Sequence, residues 1–293
     1  MAVWRGKNMS RIIQITLILL LIGSSAYLFY QEKKQVHTTN ASATTTSESV
    51  LPTGWPVVEQ HDASHVIQFL HNRCYDVGYS NERGNPLWVV YKLTDQKDGQ
   101  VDKRQSKFIT DTRTSAKIVH EHYSRSGYDR GHLAPNNAIA VMCDDEAQKE
   151  TFLLSNITPQ SKALNERWWE RLERAELTYF THIFKEIWVI DGPIFGAHPV
   201  LLPNGPVQVP EACYKVYVAR KGDQWHTLAF MVDQGVNGDE TFSQYRTSIQ
   251  NIEKRIGLDL LPNLPDELKH KLKQDDSDKM WNLMDVDKLP ARF

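Results

Sequence analysis

Apolar and polar positions divide the chain into stretches of distinct character. Ile12 to Gln31 is twenty residues without a charge, nearly all aliphatic as far as Ile22, and Arg5, Lys7 and Arg11 precede it. The stretch has no amphipathic face, so it reads as a targeting segment rather than a core helix. As a helix rising about 1.5 Å per residue it spans roughly 30 Å, enough to remain as a membrane anchor with its basic end cytoplasmic. As a signal peptide it has a basic start, an apolar centre and a small-residue cleavage site at Ser24-Ser25-Ala26. Both readings stay open. Either one places the body of the protein outside the cytoplasm, whether secreted, periplasmic or anchored facing outward, and a membrane is a partner only if the segment is retained. His37 to Val50 is rich in Thr, Ser and Ala and reads as a flexible tether. The resulting scheme is a targeting segment over 1–31, a linker over 32–50 and a folded domain over 51–293.

Within that domain the apolar period changes several times. Tyr75 to Tyr79 and Leu87 to Leu93 flank the turn-forming run Asn81-Glu82-Arg83-Gly84-Asn85-Pro86, the pattern of a β-hairpin. Ile187 to Ile190, ended by Asp191-Gly192-Pro193, and the runs Tyr214 to Val218 and Leu228 to Val232 predict further strands. Asn165 to Phe180 predicts a helix. Ile249, Ile252 and Ile256 recur at helical spacing and stop at Gly257, which suits a C-terminal cap. The fold class is α+β, one domain with a mixed β-sheet core.

Composition narrows the function. The chain has 293 residues, 41% of them hydrophobic and 24% charged, with a formal net charge of -2. A protein that held nucleic acid by bulk charge would be strongly basic, so any such role must come from a local site. Cys74, Cys143 and Cys213 form no CxxC pair, which argues against a cysteine-rich zinc site, and at most one internal disulfide can form. The extracytoplasmic reading permits that disulfide without saying which pair makes it.

The densest chemistry lies in Gly127-Tyr128-Asp129-Arg130-Gly131-His132-Leu133-Ala134-Pro135. Histidine is the usual general base near neutral pH, and arginine offers a charged planar fork that matches phosphate oxygens. Alone, such a cluster is more often a solvated turn. A second segment, Ser155-Asn156-Ile157-Thr158-Pro159-Gln160 followed by Asn165, Trp168, Trp169, Leu172 and Glu173, changes the picture. Together the two segments resemble the DNA/RNA non-specific endonuclease family, the ββα-metal nucleases. The family's DRGH motif and its SN-x-x-PQ segment are both matched in full. The resemblance extends from Leu87-Trp88-Val89-Val90 to Gly257-Leu258.

That resemblance implies a ββα-metal motif and a metal-dependent endonuclease that hydrolyses DNA and RNA, with Mg²⁺ as cofactor and Mn²⁺ as an accepted substitute. His132 would be the general base and Asn165 the one direct protein ligand of the metal. Glu173 would hold a metal-bound water, Arg130 would stabilise charge on the phosphate, and Asp129 would support the site by hydrogen bonding. Asn156 and Gln160 would shape the substrate pocket. Some members carry an arginine one turn after this glutamate, where this chain has Leu177. A homodimer is left open.

A helical wheel at about 100° per residue puts Glu173 roughly 80° from Asn165, so both can face one cleft. Trp168, Leu172, Ala175 and Tyr179 form a stripe that would seat the helix on the sheet, whereas Trp169, between Asn165 and Glu173, is the candidate to stack on bases at the cleft rim. Arg167, Arg171 and Arg174 fall opposite and read as a solvated face beside Glu170. His120-Glu121-His122 resembles a metal pair but reads better as surface histidines, and no HExxH is present. Arg104 and Arg113 have no assignable role. Two rival functions are an inactive nucleic-acid-binding module of the same fold, against which His132, Asn165 and Glu173 together argue, and a toxin nuclease held by an immunity partner.

Overall fold

The alternation of large apolar side chains along five segments builds a sheet that is buried on both sides. The computed structural model describes residues 49–59, 66–95, 107–275 and 278–292. The targeting segment, nearly all of the linker and Arg104 lie outside the described residues. The strands are β1 (Val57–Val58), β2 (Gln68–His71), β3 (Tyr75–Ser80), β4 (Asn85–Thr94), β5 (Asp129–His132) and β6 (Ile157–Gln160). They continue with β7 (Glu186–Ile194), β8 (Ala212–Lys221), β9 (Gln224–Asp233), β10 (Arg246–Thr247) and β11 (Leu258–Asp259). Seven of them form one sheet in the order β10-β9-β8-β7-β4-β3-β2. The architecture is α+β, and the sheet expected to be mixed pairs antiparallel throughout. β5 pairs with β6 apart from it, and β1 with β11.

Because successive side chains of a strand point to opposite faces, each central strand feeds two cores. Val89, Tyr91, Val189, Tyr217 and Phe230 cluster with Trp168, Leu172 and Phe180. Trp88, Val90, Ile190, Tyr214 and Val216 cluster with Ile249, Ile252 and Leu272. Each such side chain contributes about 1.5–3 kcal/mol on burial. The β3–β4 hairpin turns where the sequence places it. β7, in contrast, runs through Asp191-Gly192-Pro193 instead of stopping. Its pairing with β4 ends at Val89↔Asp191, so Pro193 faces β8 alone and no missing N–H interrupts a two-sided ladder.

The helices are α1 (Asn136–Met142), α2 (Asp145–Glu150), α3 (162–184), α4 (Ile249–Ile256), α5 (Asp266–Gln274) and α6 (Leu283–Val286). Ser248 caps the start of α4 and Gly257, at φ 70°, caps its end. Helix α3 is not uniform: Leu164–Trp169 and Glu176–Phe180 are π-helical, flanking the α-helical Glu170–Ala175.

The expected solvated arginine face of α3 is covered. Arg171 is 2% exposed, lies 4.6 Å from the Phe242 ring centroid, and donates to the carbonyls of Leu289, Gly238, Glu240 and Asp287 at 2.8, 3.1, 2.9 and 3.4 Å. Arg167 donates to Asn237 O at 2.7 Å and Arg174 to Pro290 O. The cover comes from residues 237–240 and from the C-terminal segment, so remote chain, not solvent, satisfies the Arg171 guanidinium, while Arg167 keeps part of its surface in solvent. Cys74 and Cys143 form a disulfide and Cys213 is buried and free. Among the described residues no helix is long and apolar enough to cross a membrane.

Candidate active site

Strands β5 and β6 pair antiparallel, with Asp129 opposite Gln160 and His132 opposite Ile157. At the end of β6 the chain turns directly into α3. Ser161 caps it, its Oγ accepting from Leu164 N at 3.3 Å and its carbonyl from Asn165 N at 2.8 Å. Gln234 holds that corner by accepting from Ser161 N at 2.7 Å and donating to the carbonyls of Pro159 and Pro210 at 2.9 and 3.1 Å. A strand pair leading straight into the helix that carries Asn165 is the ββα arrangement the sequence predicts.

The side chains of β5 divide between two sides. Arg130 and His132 share Phe108, whose ring centroid lies 5.6 Å from the guanidinium carbon and 5.4 Å from the imidazole. Phe152 meets the imidazole edge-on at 5.1 Å. Arg130 also lies 5.5 Å from the Tyr123 ring centroid and donates to the His120 carbonyl at 2.9 Å. Partial burial draws its pKa below the ordinary value, though a guanidinium stays charged at neutral pH. Asp129 points to the helix and accepts from Asn165 Nδ2 at 3.1 Å. Beside it Gly131 lies so close to Gln160 that a Cβ there would sit 2.1 Å from Oε1.

The amide of Asn165 thus donates with its nitrogen to Asp129, and among the described residues its Oδ1 accepts no hydrogen bond. A part-exposed amide oxygen beside a carboxylate suits a hard divalent cation that keeps most of its waters. Among the described residues there is no group of three His, Cys, Asp or Glu that could cage a metal. The Glu173 carboxyl sits among buried side chains while the residue keeps a part-exposed edge, and that desolvation pushes it up to about 8, with Lys215 drawing it the other way. A cation nearby favours its ionised form.

Other predicted residues take different places. Trp169 is 1% exposed and packs inside, with Lys215 Nζ 4.5 Å from its ring centroid, so it does not form a cleft rim. The π-helical turn that contains it closes with an extra residue per turn, which rotates it inward relative to a 100° wheel. Asn156 and Gln160 are fully buried. Asn156 bridges the Ala134 N–H and carbonyl at 2.9 and 3.0 Å and also donates to Thr151 O at 3.0 Å, so it fixes the chain just after His132 rather than lining a pocket. Gln160 reaches Cys213 Sγ at 3.6 Å.

His120 to Tyr123 form a short 3₁₀ turn. His120 contacts Arg130, whereas the Nδ1 of His122 accepts from Val119 N at 3.3 Å, so the two histidines serve different neighbours. Arg113 is bonded to Asp111 and to the carbonyl of His71. Sequence reasoning missed Phe108, Phe152 and Gln234, which carry no motif. It also missed Lys215, whose one signal was a charge inside the otherwise apolar run Tyr214 to Val218.

The sequence model described as DNA/RNA non-specific endonuclease matches residues 58–267. Among curated proteins, the zebrafish (Danio rerio) mitochondrial nuclease EXOG is 29% identical over 81% of this chain and 70% of its own length. The human mitochondrial nuclease EXOG is 30% identical over 66% of this chain and 57% of its length, so this chain spans little more than half of that relative. A nuclease of Serratia marcescens is 29% identical over 64% of this chain and 72% of its own. The solved structure of an EndoG/EndoGI complex aligns with TM-score 0.65 and 25% identity, over 76% of this chain and 96% of that one.

Proposed function

The chain belongs to the DNA/RNA non-specific endonuclease family, and on that premise we propose that it hydrolyses phosphodiester bonds of DNA and RNA with Mg²⁺ as cofactor. The observation that carries the reading is the bond from Asn165 Nδ2 to Asp129 Oδ2, which ties helix α3 to the DRGH strand and leaves the amide oxygen as the atom that would meet a cation. His132 takes a proton from the attacking water. Arg130 offsets negative charge on the phosphate oxygens as the transition state forms. Asp129 orients Asn165, and Glu173 would accept a hydrogen bond from a water of the bound ion. When bound, the cation stabilises the charge that develops on the leaving 3′ oxygen. None of these groups reads a base edge, which accounts for weak sequence preference, and phosphate contact makes binding fall with salt. The Cys74–Cys143 disulfide supports an extracytoplasmic place of work, because such bonds persist in oxidising compartments.

The test is direct. Residues 51–293 are incubated with plasmid DNA and with RNA in Mg²⁺, with chelator, and as His132→Ala. We expect both substrates cut, no cutting with chelator, and a loss of about 10²–10⁴-fold in the variant. Intact substrates with the wild type reject the nuclease reading. Undiminished cutting by His132→Ala rejects the assigned base.

A further inference from the structure

Lys215 stands on the central strand β8 with no exposure to solvent. Its Nζ lies 2.8 Å from Glu176 Oε1, 3.0 Å from Asp191 Oδ2 and 3.0 Å from the Tyr91 hydroxyl, and 4.5 Å from the Trp169 ring centroid. Tyr91 and Tyr217 in turn donate to Glu176 at 3.1 and 2.9 Å. Asp191, Tyr91 and Tyr217 belong to the sheet, whereas Trp169 and Glu176 belong to α3. Trp169 ends its first π-helical segment and Glu176 begins the second. The grip therefore falls at both ends of the α-helical stretch that carries Glu173, four residues past Trp169 and three before Glu176. Asn165 lies one turn before Trp169.

A buried ion cluster is a weak source of stability, since an apolar replacement of similar volume often does as well. Apolar contacts, however, are non-directional and let a helix rotate or slide on a sheet, whereas charge-assisted hydrogen bonds fix direction. Two π-helical segments change the rotation per residue along α3, so its face needs such a fixed point. We propose that Lys215 is a positioning residue for the hydrolysis: through Glu176 and Trp169 it sets the rotation of α3 that presents Asn165 and Glu173 to the metal. This inference rests on the metal-nuclease reading above.

The test uses the full-length chain and Mn²⁺ as the probe, its affinity read by electron paramagnetic resonance alongside steady-state kinetics. Glu176→Gln leaves Lys215 balanced by Asp191 and cuts the charged link to the helix. The triple variant Lys215→Met, Glu176→Gln, Asp191→Asn removes the cluster without stranding a charge and serves as a second arm, so that misfolding of one variant does not decide the outcome. In the folded variants we expect Mn²⁺ affinity to fall about tenfold, as it does when groups that orient metal ligands are lost, and kcat to fall at least as far with KM within about threefold. Mn²⁺ affinity within twofold of wild type in the folded variants overturns the role of Lys215. A wild-type chain that neither binds Mn²⁺ nor cuts overturns the nuclease reading, and this inference with it.

Discussion

Gly131 shows how little room the DRGH strand leaves. A Cβ there would lie 2.1, 2.4 and 2.6 Å from Oε1, Cδ and Cγ of Gln160, and that side chain is fully buried. Its Nε2 lies 3.6 Å from Cys213 Sγ, so the core around it leaves little room to give. Gly131→Ala should therefore shift β5 rather than the glutamine. Displacing a catalytic group by about an ångström can cost roughly 10²-fold in rate, so kcat on plasmid DNA should fall by about that factor. Adding Gln160→Ala should restore part of it. No recovery in the double variant would place the damage elsewhere than in this contact. The motif was legible in the sequence only together with the second segment, through the family resemblance the two carry, because a charged turn alone is more often solvated. That Gly131 serves close packing against Gln160 was not, since their neighbourhood depends on the register of β5 against β6.

At the level of elements, the hairpin of β3 and β4 and the capped helix α4 were legible because turn formers and Gly257 act locally. Helix α3 was legible as a helix but not in its orientation. Its π-helical turns moved Trp169 from the expected rim into the core, and chain more than sixty residues away covered the arginines. Arg171 satisfies four carbonyls from two segments, a fork that a lysine cannot reproduce. Arg171→Lys should leave some of those buried acceptors unpaired at about 1–3 kcal/mol each. For a domain of this size each kcal/mol lowers Tm by roughly 2–4 °C, so a drop of about 5–10 °C is expected. Amide exchange over Leu283 to Leu289 should accelerate with it. Wild-type exchange in that segment would show that the clasp does not hold the C-terminal segment down.

For the whole molecule, two carboxyls beside Lys215 contribute a pH dependence opposite in sign to the common acid-denaturation pattern. Burial pushes Asp191 up to about 7 and Glu173 up to about 8, in each case against the pull of Lys215. Unfolded, these groups titrate near about 3.9 and 4.3. Between those limits these two groups hold more protons in the folded chain than in the unfolded one, so the stability they contribute is fully present below about pH 4 and is lost as pH rises through 7 to 8. The Tm of the metal-free protein should fall from pH 5 to pH 8, and Asp191→Asn should flatten the decline. An equally steep profile in that variant would rule out Asp191 as its source.

The Cys74–Cys143 disulfide joins positions 69 residues apart. Covalently it makes a ring, and β3, β4 and the whole DRGH strand lie on that ring. A single proteolytic cut anywhere on it opens the polypeptide without releasing either piece. Such a nicked molecule should run as one band on a non-reducing gel and as two after reduction. Its two fragments, one ending and the other beginning inside the ring, would still carry the hairpin and the DRGH strand on a single covalent particle.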